Sequence, residues 1–241
     1  MEFTYESLND KIFVQISRDH RFGTDAFLLA DFSAPLRKDT VCDLGTGCGI
    51  IPMILKRDFE PKKIYGVDIQ PLAIEQFENS VEKSKVDNVF PLCADLKDIG
   101  NLLPAGGFDV VTCNPPYKAA NSGILSTPNA QQIARHEILC NIYDVCNAAK
   151  RLLRFGGKLC ICQRPERLAD VIDAMKKADI EPKRLRFCAK SASDPPWLFL
   201  IEGKKGSKPF LQVEPILEVY SNGKFSAEML NIYGKGYNID G

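Results

Sequence analysis

Asn114-Pro115-Pro116-Tyr117 is a tetrad whose residue types can hold a planar NH2 group. Neither proline carries a backbone N–H, so the turn is stiff and its carbonyls are left to accept. The Asn114 side-chain oxygen and the Pro115 carbonyl can take both hydrogens of one amine. The Tyr117 ring can stack on the plane that bears it. The same residues also make a proline-stiffened turn with a packed tyrosine, and the residues upstream must separate the two readings.

Upstream lies Asp43-Leu-Gly-Thr-Gly-Cys-Gly49. Gly45, Gly47 and Gly49 let a backbone turn tightly and approach a ligand closely. The spacing is G-x-G-x-G, not the G-x-G-x-x-G of dinucleotide folds, and it opens on a carboxylate. A pyrophosphate prefers a bare helix N-terminus to such a group. A ligand carrying an ammonium or sulfonium suits Asp43 better. Asp68 follows 19 residues after Gly49, where a carboxylate accepts from ribose hydroxyls. Asp95 stands after a third apolar run, placed for an adenine amine. S-adenosylmethionine meets all three demands, and a generic turn with structural glycines is the bland alternative.

The elements that position these residues alternate. Strands are expected over Thr40–Leu44, Lys62–Asp68, Val89–Ala94, Phe108–Cys113 and Leu159–Cys162. Helices are expected over Ile50–Phe59, Leu72–Val86, Ile138–Leu152 and Leu168–Met175, with Gly156-Gly157 as a glycine cap closing the third. Arg184–Cys188 and Trp197–Ile201 read as a last, antiparallel strand pair. Alternation of this kind gives an α/β fold, a mostly parallel sheet with helices on both faces. The expected organisation is one domain over 1–241: a lead-in over 1–39, a core over 40–208 and a tail over 209–241. The lead-in carries a strand at Phe13–Ile16 and a short helix near Asp25–Phe32. The tail carries a strand at Ile216–Tyr220 and a short helix.

Composition bounds the rest. With 45% apolar residues a core forms without staples, and zero net charge excludes a global nucleic-acid field. Nine cysteines without a C-x-x-C pair, and only two histidines, point to no metal site and to buried thiols in a reducing cytoplasm. No leader-like N-terminus or membrane-length apolar run is seen. Locally, Lys176–Lys208 carries nine Lys or Arg against four Asp or Glu. That stretch, with Lys183, Arg184, Lys204 and Lys205, is either an RNA-phosphate patch or a solvated face.

The order of glycine motif, acidic strand end and Asn-Pro-Pro-Tyr resembles class I S-adenosylmethionine-dependent methyltransferases that modify amines. More closely, the chain resembles the bacterial tRNA1(Val) (adenine-N6) methyltransferase family. The likeness runs through Phe22–Leu29, Asp43–Pro52, Asn114–Tyr117, Ala134-Arg-His-Glu137 and Glu202–Lys208. It implies a Rossmann-like fold with a seven-stranded sheet and an antiparallel terminal strand. It implies a tRNA partner, methylated on N6 of an adenosine at position 37 of the anticodon loop. It assigns Asn114, Pro115, Pro116 and Tyr117 to catalysis. It adds Thr24, Asp25, Ile69 and Leu96 to the cofactor set of Asp43, Gly45, Gly47, Gly49, Asp68, Asp95 and Asn114. It places Lys118 and Arg135 against RNA. Lys118 departs from the aromatic residue the family tends to carry there, which leaves the floor of the base pocket open. Nothing decides between monomer and homodimer.

Asn114 and the Pro115 carbonyl would localise the amine lone pair toward the methyl donor, with no general base before attack. His136 is a rival base, or a hydrogen-bonded histidine that fixes the polar loop over 118–137. Guanine-N2 methylation of rRNA and a catalytically inactive RNA-binding subunit are the alternatives. Asp194-Pro-Pro-Trp197 repeats the tetrad chemistry, but no glycine motif follows it, and it reads as a turn before the last strand.

Overall fold

The computed structural model describes residues 3–17, 22–115 and 141–234. The lead-in forms a hairpin of β1 (Thr4–Ser7) and β2 (Phe13–Ile16), then helix α1 (Thr24–Ser33). The core continues through β3 (Thr40–Leu44), α2 (Ile50–Asp58), β4 (Lys63–Asp68), α3 (Pro71–Ser84), β5 (Val89–Cys93) and β6 (Phe108–Cys113). It resumes with α4 (Ile142–Leu152), β7 (Leu153–Gln163), α5 (Leu168–Lys177), β8 (Ile180–Ala189) and β9 (Pro196–Lys205). The tail adds β10 (Gln212–Val213), β11 (Leu217–Glu218), β12 (Tyr220–Ser221), β13 (Lys224–Phe225) and α6 (Ala227–Tyr233).

Seven long strands form the sheet in the order β8-β9-β7-β6-β3-β4-β5. All are parallel except β9, the last in sequence, which runs antiparallel between β7 and β8. The mostly parallel sheet expected from the alternation, and the seven strands that the resemblance implies, are therefore present. Short β10 and β11 both pair with the edge strand β8. The central strands are apolar throughout because both faces are covered. One face packs α1, α2, α3, the hairpin and α6; the other packs α4 and α5.

Local chemistry explains several joins. Helix α3 starts with proline in its first turn, where the missing N–H is not needed, and ends on Lys85 in the left-handed region. Its Ser84 and Ser80 hydroxyls accept the N–H groups of Phe13 and Gln15 at 2.9 and 2.8 Å, docking the lead-in hairpin. Asn141 opens α4 with a capping box. Its side chain accepts from Tyr143 and Asp144 N–H, and Asp144 accepts from the Asn141 N–H.

Two expectations are corrected. Gly156-Gly157 does not cap α4. The helix ends with Leu153 in extended backbone and passes directly into β7. Gly156, at φ 74°, lies inside that strand, where pairing jumps from Phe108↔Leu153 to Val110↔Lys158. The glycine serves a bulge, not a helix end. The tail strand over Ile216–Tyr220 divides in two. Leu217–Glu218 extends the sheet, while Tyr220–Ser221 turns back on β13 through Asn222-Gly223, both at positive φ.

Candidate active site

Strands β3, β4 and β5 spread to one side of β3, and β6 returns to its other side. The order reverses between β3 and β6. Crossover connections diverge there, opening a crevice beyond the carboxyl ends of the two strands. Asp43 and the glycine loop lie at one lip, and Asn114 at the other.

Asp43 is fully buried in β3. Its register partner on β6 is Thr112, whose hydroxyl donates to Asp43 Oδ1 at 2.7 Å. Asp43 Oδ2 and the Thr46 hydroxyl have no hydrogen-bond partner among the described residues. Burial pushes the Asp43 carboxyl up to about 7. The Thr112 hydroxyl opposes that rise, and so does the Thr46 hydroxyl, which stands close by without meeting hydrogen-bond geometry. The nearby charge of Asp68 reinforces it. A buried carboxylate oxygen without a partner is costly, and a cationic or hydrogen-donating ligand group relieves that cost.

The loop after Asp43 is held from β4. Gly45 and Thr46 N–H donate to the Val67 carbonyl at 2.8 and 3.0 Å, and Gly47 N–H donates to Asp68 Oδ2 at 2.9 Å. Gly45 and Gly47 have positive φ, and nothing lies within 4 Å of where a Cβ would stand. They leave the loop open toward a ligand. Gly49 differs: a Cβ there would meet the Phe77 ring at 2.0 Å. Its lack of a side chain is required by packing beneath the loop.

Asp68 also accepts from Gln70 N–H at 2.9 Å through Oδ1. Oδ1 also accepts from Gln70 Nε2 at 3.4 Å, and Oδ2 keeps a further lone pair, so a ribose hydroxyl can still be received. Ile69, 42% exposed directly after Asp68, offers apolar surface for a flat ring. Asp95 closes a turn by accepting Lys97 N–H at 2.9 Å. Leu96 lines a separate cavity of about 250 Å³ with Lys97, Asp144 and Arg151. The acidic and glycine residues together fit S-adenosylmethionine: a partnerless buried oxygen, an open glycine cradle and a ribose-competent carboxylate.

Asn114 follows β6 with its amide held at both ends. Its Nδ2 donates to Asp25 Oδ2 at 3.0 Å, and Cys162 Sγ donates to its Oδ1 at 3.1 Å. Asp25, expected among the cofactor ligands, thus meets the Asn114 amide. Thr24 accepts from the Tyr233 hydroxyl at 2.9 Å. Pro115 is half-buried beside Asn114. Pro116, Tyr117, Lys118, Arg135 and His136 lie outside the described residues.

The basic stretch, expected as either an RNA-phosphate patch or a solvated face, lies away from Asn114. Lys204 lies at the level of Lys158 and Val110, four residues before Asn114, or roughly 13 Å along a strand. Lys205 is one residue further. Lys183 and Arg184 are on β8, three strand spacings or about 14 Å across the sheet from β6. Their charges are engaged. Buried Glu202 faces Arg184 at 3.2 Å, Lys158 at 3.8 Å and Lys204 at 3.9 Å. Arg184 also pairs with Glu214, donates to the Phe32 carbonyl and stacks on the Phe32 ring. Lys205 donates to the Lys150 and Leu153 carbonyls, capping the end of α4. Lys183 donates to the Lys208 carbonyl.

Thr112 and Cys162 are site neighbours that residue type alone did not single out. Thr112 is a polar residue near the end of β6, which also carries Asp109, and only register places it beside Asp43. No helix among the described residues is long and apolar enough to cross a membrane.

Known proteins are similar to this chain in sequence and in fold. A relative named tRNA1(Val) (adenine(37)-N6)-methyltransferase from Histophilus somni (strain 129Pt) is 29% identical over 162 residues, 66% of this chain and 65% of its own length. One of the same name from Parabacteroides distasonis is 24% identical over 76% of both chains. The chain thus spans about two thirds of the first relative. Among solved structures, a predicted O-methyltransferase, Atu636 from Agrobacterium tumefaciens, superposes with a TM-score of 0.71 at 21% identity, covering 88% of this chain and 97% of its own. M. jannaschii TYW2, solved in complex with AdoMet, also superposes, with a TM-score of 0.56 at 13% identity, over 84% and 85% of the two chains. These superpositions carry the Rossmann-like class I fold. A family model described as a methyltransferase domain matches residues 36–203, from the approach to β3 through most of β9. The crevice between β3 and β6 lies within the matched residues, and the chain belongs to that methyltransferase-domain family.

Proposed function

We propose that this chain transfers a methyl group from S-adenosylmethionine to the exocyclic N6 amine of an adenosine in tRNA. The observation that carries the reading is the Asn114 amide. Its NH2 end is held by Asp25, so its carbonyl end is the acceptor it presents. The amide stands across the crevice from the partnerless oxygen of Asp43. Relatives named for adenine-37 of tRNA1(Val) support that nucleotide as the target.

The residues divide the work. Asp43 and the open glycine turn hold the cofactor, and Asp68 receives its ribose. S-adenosylmethionine, when bound, supplies an electrophilic methyl on a sulfonium. Adenine N6 is a weak nucleophile because its lone pair is shared with the ring. Asn114 Oδ1 and the Pro115 carbonyl accept its two N–H groups, draw the lone pair out of that delocalisation and aim it. The gain is positional and electrostatic. The methylated amine is acidic and releases its proton to solvent, so no general base is required before attack. Tyr117 stacks on the extruded base, and an unpaired loop nucleotide keeps the cost of extrusion small. Lys118 and Arg135 are the remaining candidates for contact with RNA, since the Lys183–Lys205 group is engaged within the protein.

The test is nucleoside analysis after incubation with labelled S-adenosylmethionine and unmodified total tRNA. Label in N6-methyladenosine is expected. Label in N2-methylguanosine, from tRNA or rRNA, or no label at all, overturns the proposal.

A further inference from the structure

We infer that Asp25 is a positioning residue, holding the Asn114 amide with its carbonyl toward the substrate amine, and that the C-terminal tail braces the turn bearing Asp25. This rests on the reading of Asn114 as the amine acceptor. An amide turned by 180° would present N–H groups to an N–H donor and repel it. Two contacts enforce the productive orientation. A carboxylate only accepts, so Asp25 Oδ2, at 3.0 Å, selects the nitrogen end. The Cys162 thiol, a donor at 3.1 Å, selects the oxygen end. Orientation is therefore set by the residues around the amide before substrate arrives.

The turn before α1 is shaped around this contact. Gly23 has φ −116° and ψ −179°, extended backbone that any residue adopts, so its conformation does not require glycine. A Cβ there would stand 2.6 Å from Asp25 Oδ1. The missing side chain makes room for the carboxylate. Next to it, Thr24 Oγ1 accepts from the hydroxyl of Tyr233 on α6, 209 residues away. The Tyr233 ring packs against Phe27 of α1, centroids 4.5 Å apart. Gly23, Thr24 and Asp25 thus have separate duties: clearance, anchorage and contact. The tail is linked through them to Asn114.

The test reads the amide directly. In 15N-labelled protein, the Asn114 side-chain NH2 signals are identified by their loss in Asn114→Ala. One of the two protons should exchange slowly in the wild type. Asp25→Ala should shift both signals and remove that protection. Asp25→Asn, which keeps a carbonyl acceptor, should retain part of it. In the methylation assay, Asp25→Ala should lower kcat roughly 10- to 100-fold, with the Kd for S-adenosylmethionine within about twofold and Asp25→Asn intermediate. Unmoved Asn114 signals in Asp25→Ala overturn the inference. So does weakened cofactor binding with kcat preserved, which would make Asp25 a cofactor ligand. Should Asp25→Ala fail to fold, Gly23→Ala displaces the carboxylate and must shift the same signals. The NMR arm needs no RNA. A wild type that methylates no RNA but shows the protected proton would therefore refute the proposed function while sustaining the contact.

Discussion

At the carboxyl end of β3, two buried polar atoms go unmatched; along β8 and β9, most of the basic groups have partners within the protein. Asp43 Oδ2 and the Thr46 hydroxyl lack partners. Glu202 has three cations around it, and Lys205 satisfies two carbonyls. Among the buried side-chain atoms described there, Arg184 Nε, on the guanidinium stacked on Phe32, has no hydrogen-bond partner. The difference teaches where to look for a site. A high density of charge marks structure when its partners are built in. A buried polar atom without a partner marks a place for a ligand only where it borders an open cradle, as Asp43 Oδ2 does; Gln76 Oε1 on α3 and Asn88 Oδ1 after it also lack partners among the described residues.

Breaking that comparison at the site should have the largest effects. Asn114→Ala removes the acceptor for the amine and should lower kcat by on the order of 10³-fold, judged against single-donor losses at oxyanion sites. The Kd for S-adenosylmethionine should stay within about twofold; equal loss of both would contradict the assigned role.

Asp43→Asn should act next. The wild-type carboxyl rises from 3.8 to about 7 on folding. Its folded state therefore binds the proton more tightly than the unfolded chain. The stability it contributes is complete below pH 3.8 and is lost as pH rises toward 7, a change on the order of 4 kcal/mol. The cofactor-free Asn variant should lose this slope and melt above the wild type at pH 8, while binding S-adenosylmethionine poorly. Thermal melts from pH 5 to 8 would show it.

At the charged end, Glu202→Gln should destabilise the fold by about 2 kcal/mol, since partly exposed cations lose a buried partner. Denaturant unfolding would measure it, and cofactor affinity should be unchanged. Smallest of all, Lys204→Ala should leave tRNA affinity and its salt slope as in the wild type. A clear loss of RNA binding would return that end of the sheet to the substrate surface.

Much of this was legible in the chain because it is local. Glycines after a short apolar run, a carboxylate at the strand end and prolines after the next apolar run each act within a few residues. The alternation gave the sheet its class for the same reason. Gly156-Gly157 after an amphipathic helix suits both a cap and a bulge, and only pairing with β6 decides. Asn222-Gly223 marks a hairpin locally, so one strand over Ile216–Tyr220 was too simple. What could not be read were long-range partners. Asp25 reaches Asn114 across 89 residues, and Arg184 reaches Glu202 across the β8–β9 pair. Charge counts along the chain do not say which charges fold will pair.

The central claim is that the partnerless oxygen of Asp43 is kept for the cofactor. Isothermal titration of S-adenosylmethionine into wild type and Asp43→Asn at pH 6 and pH 7.5 tests it most directly. With the free carboxyl at about 7, wild-type affinity should be roughly tenfold weaker at pH 6. The Asn variant should bind weakly at both. Wild-type affinity that does not change with pH, or an Asn variant that binds as tightly as wild type, would contradict the account.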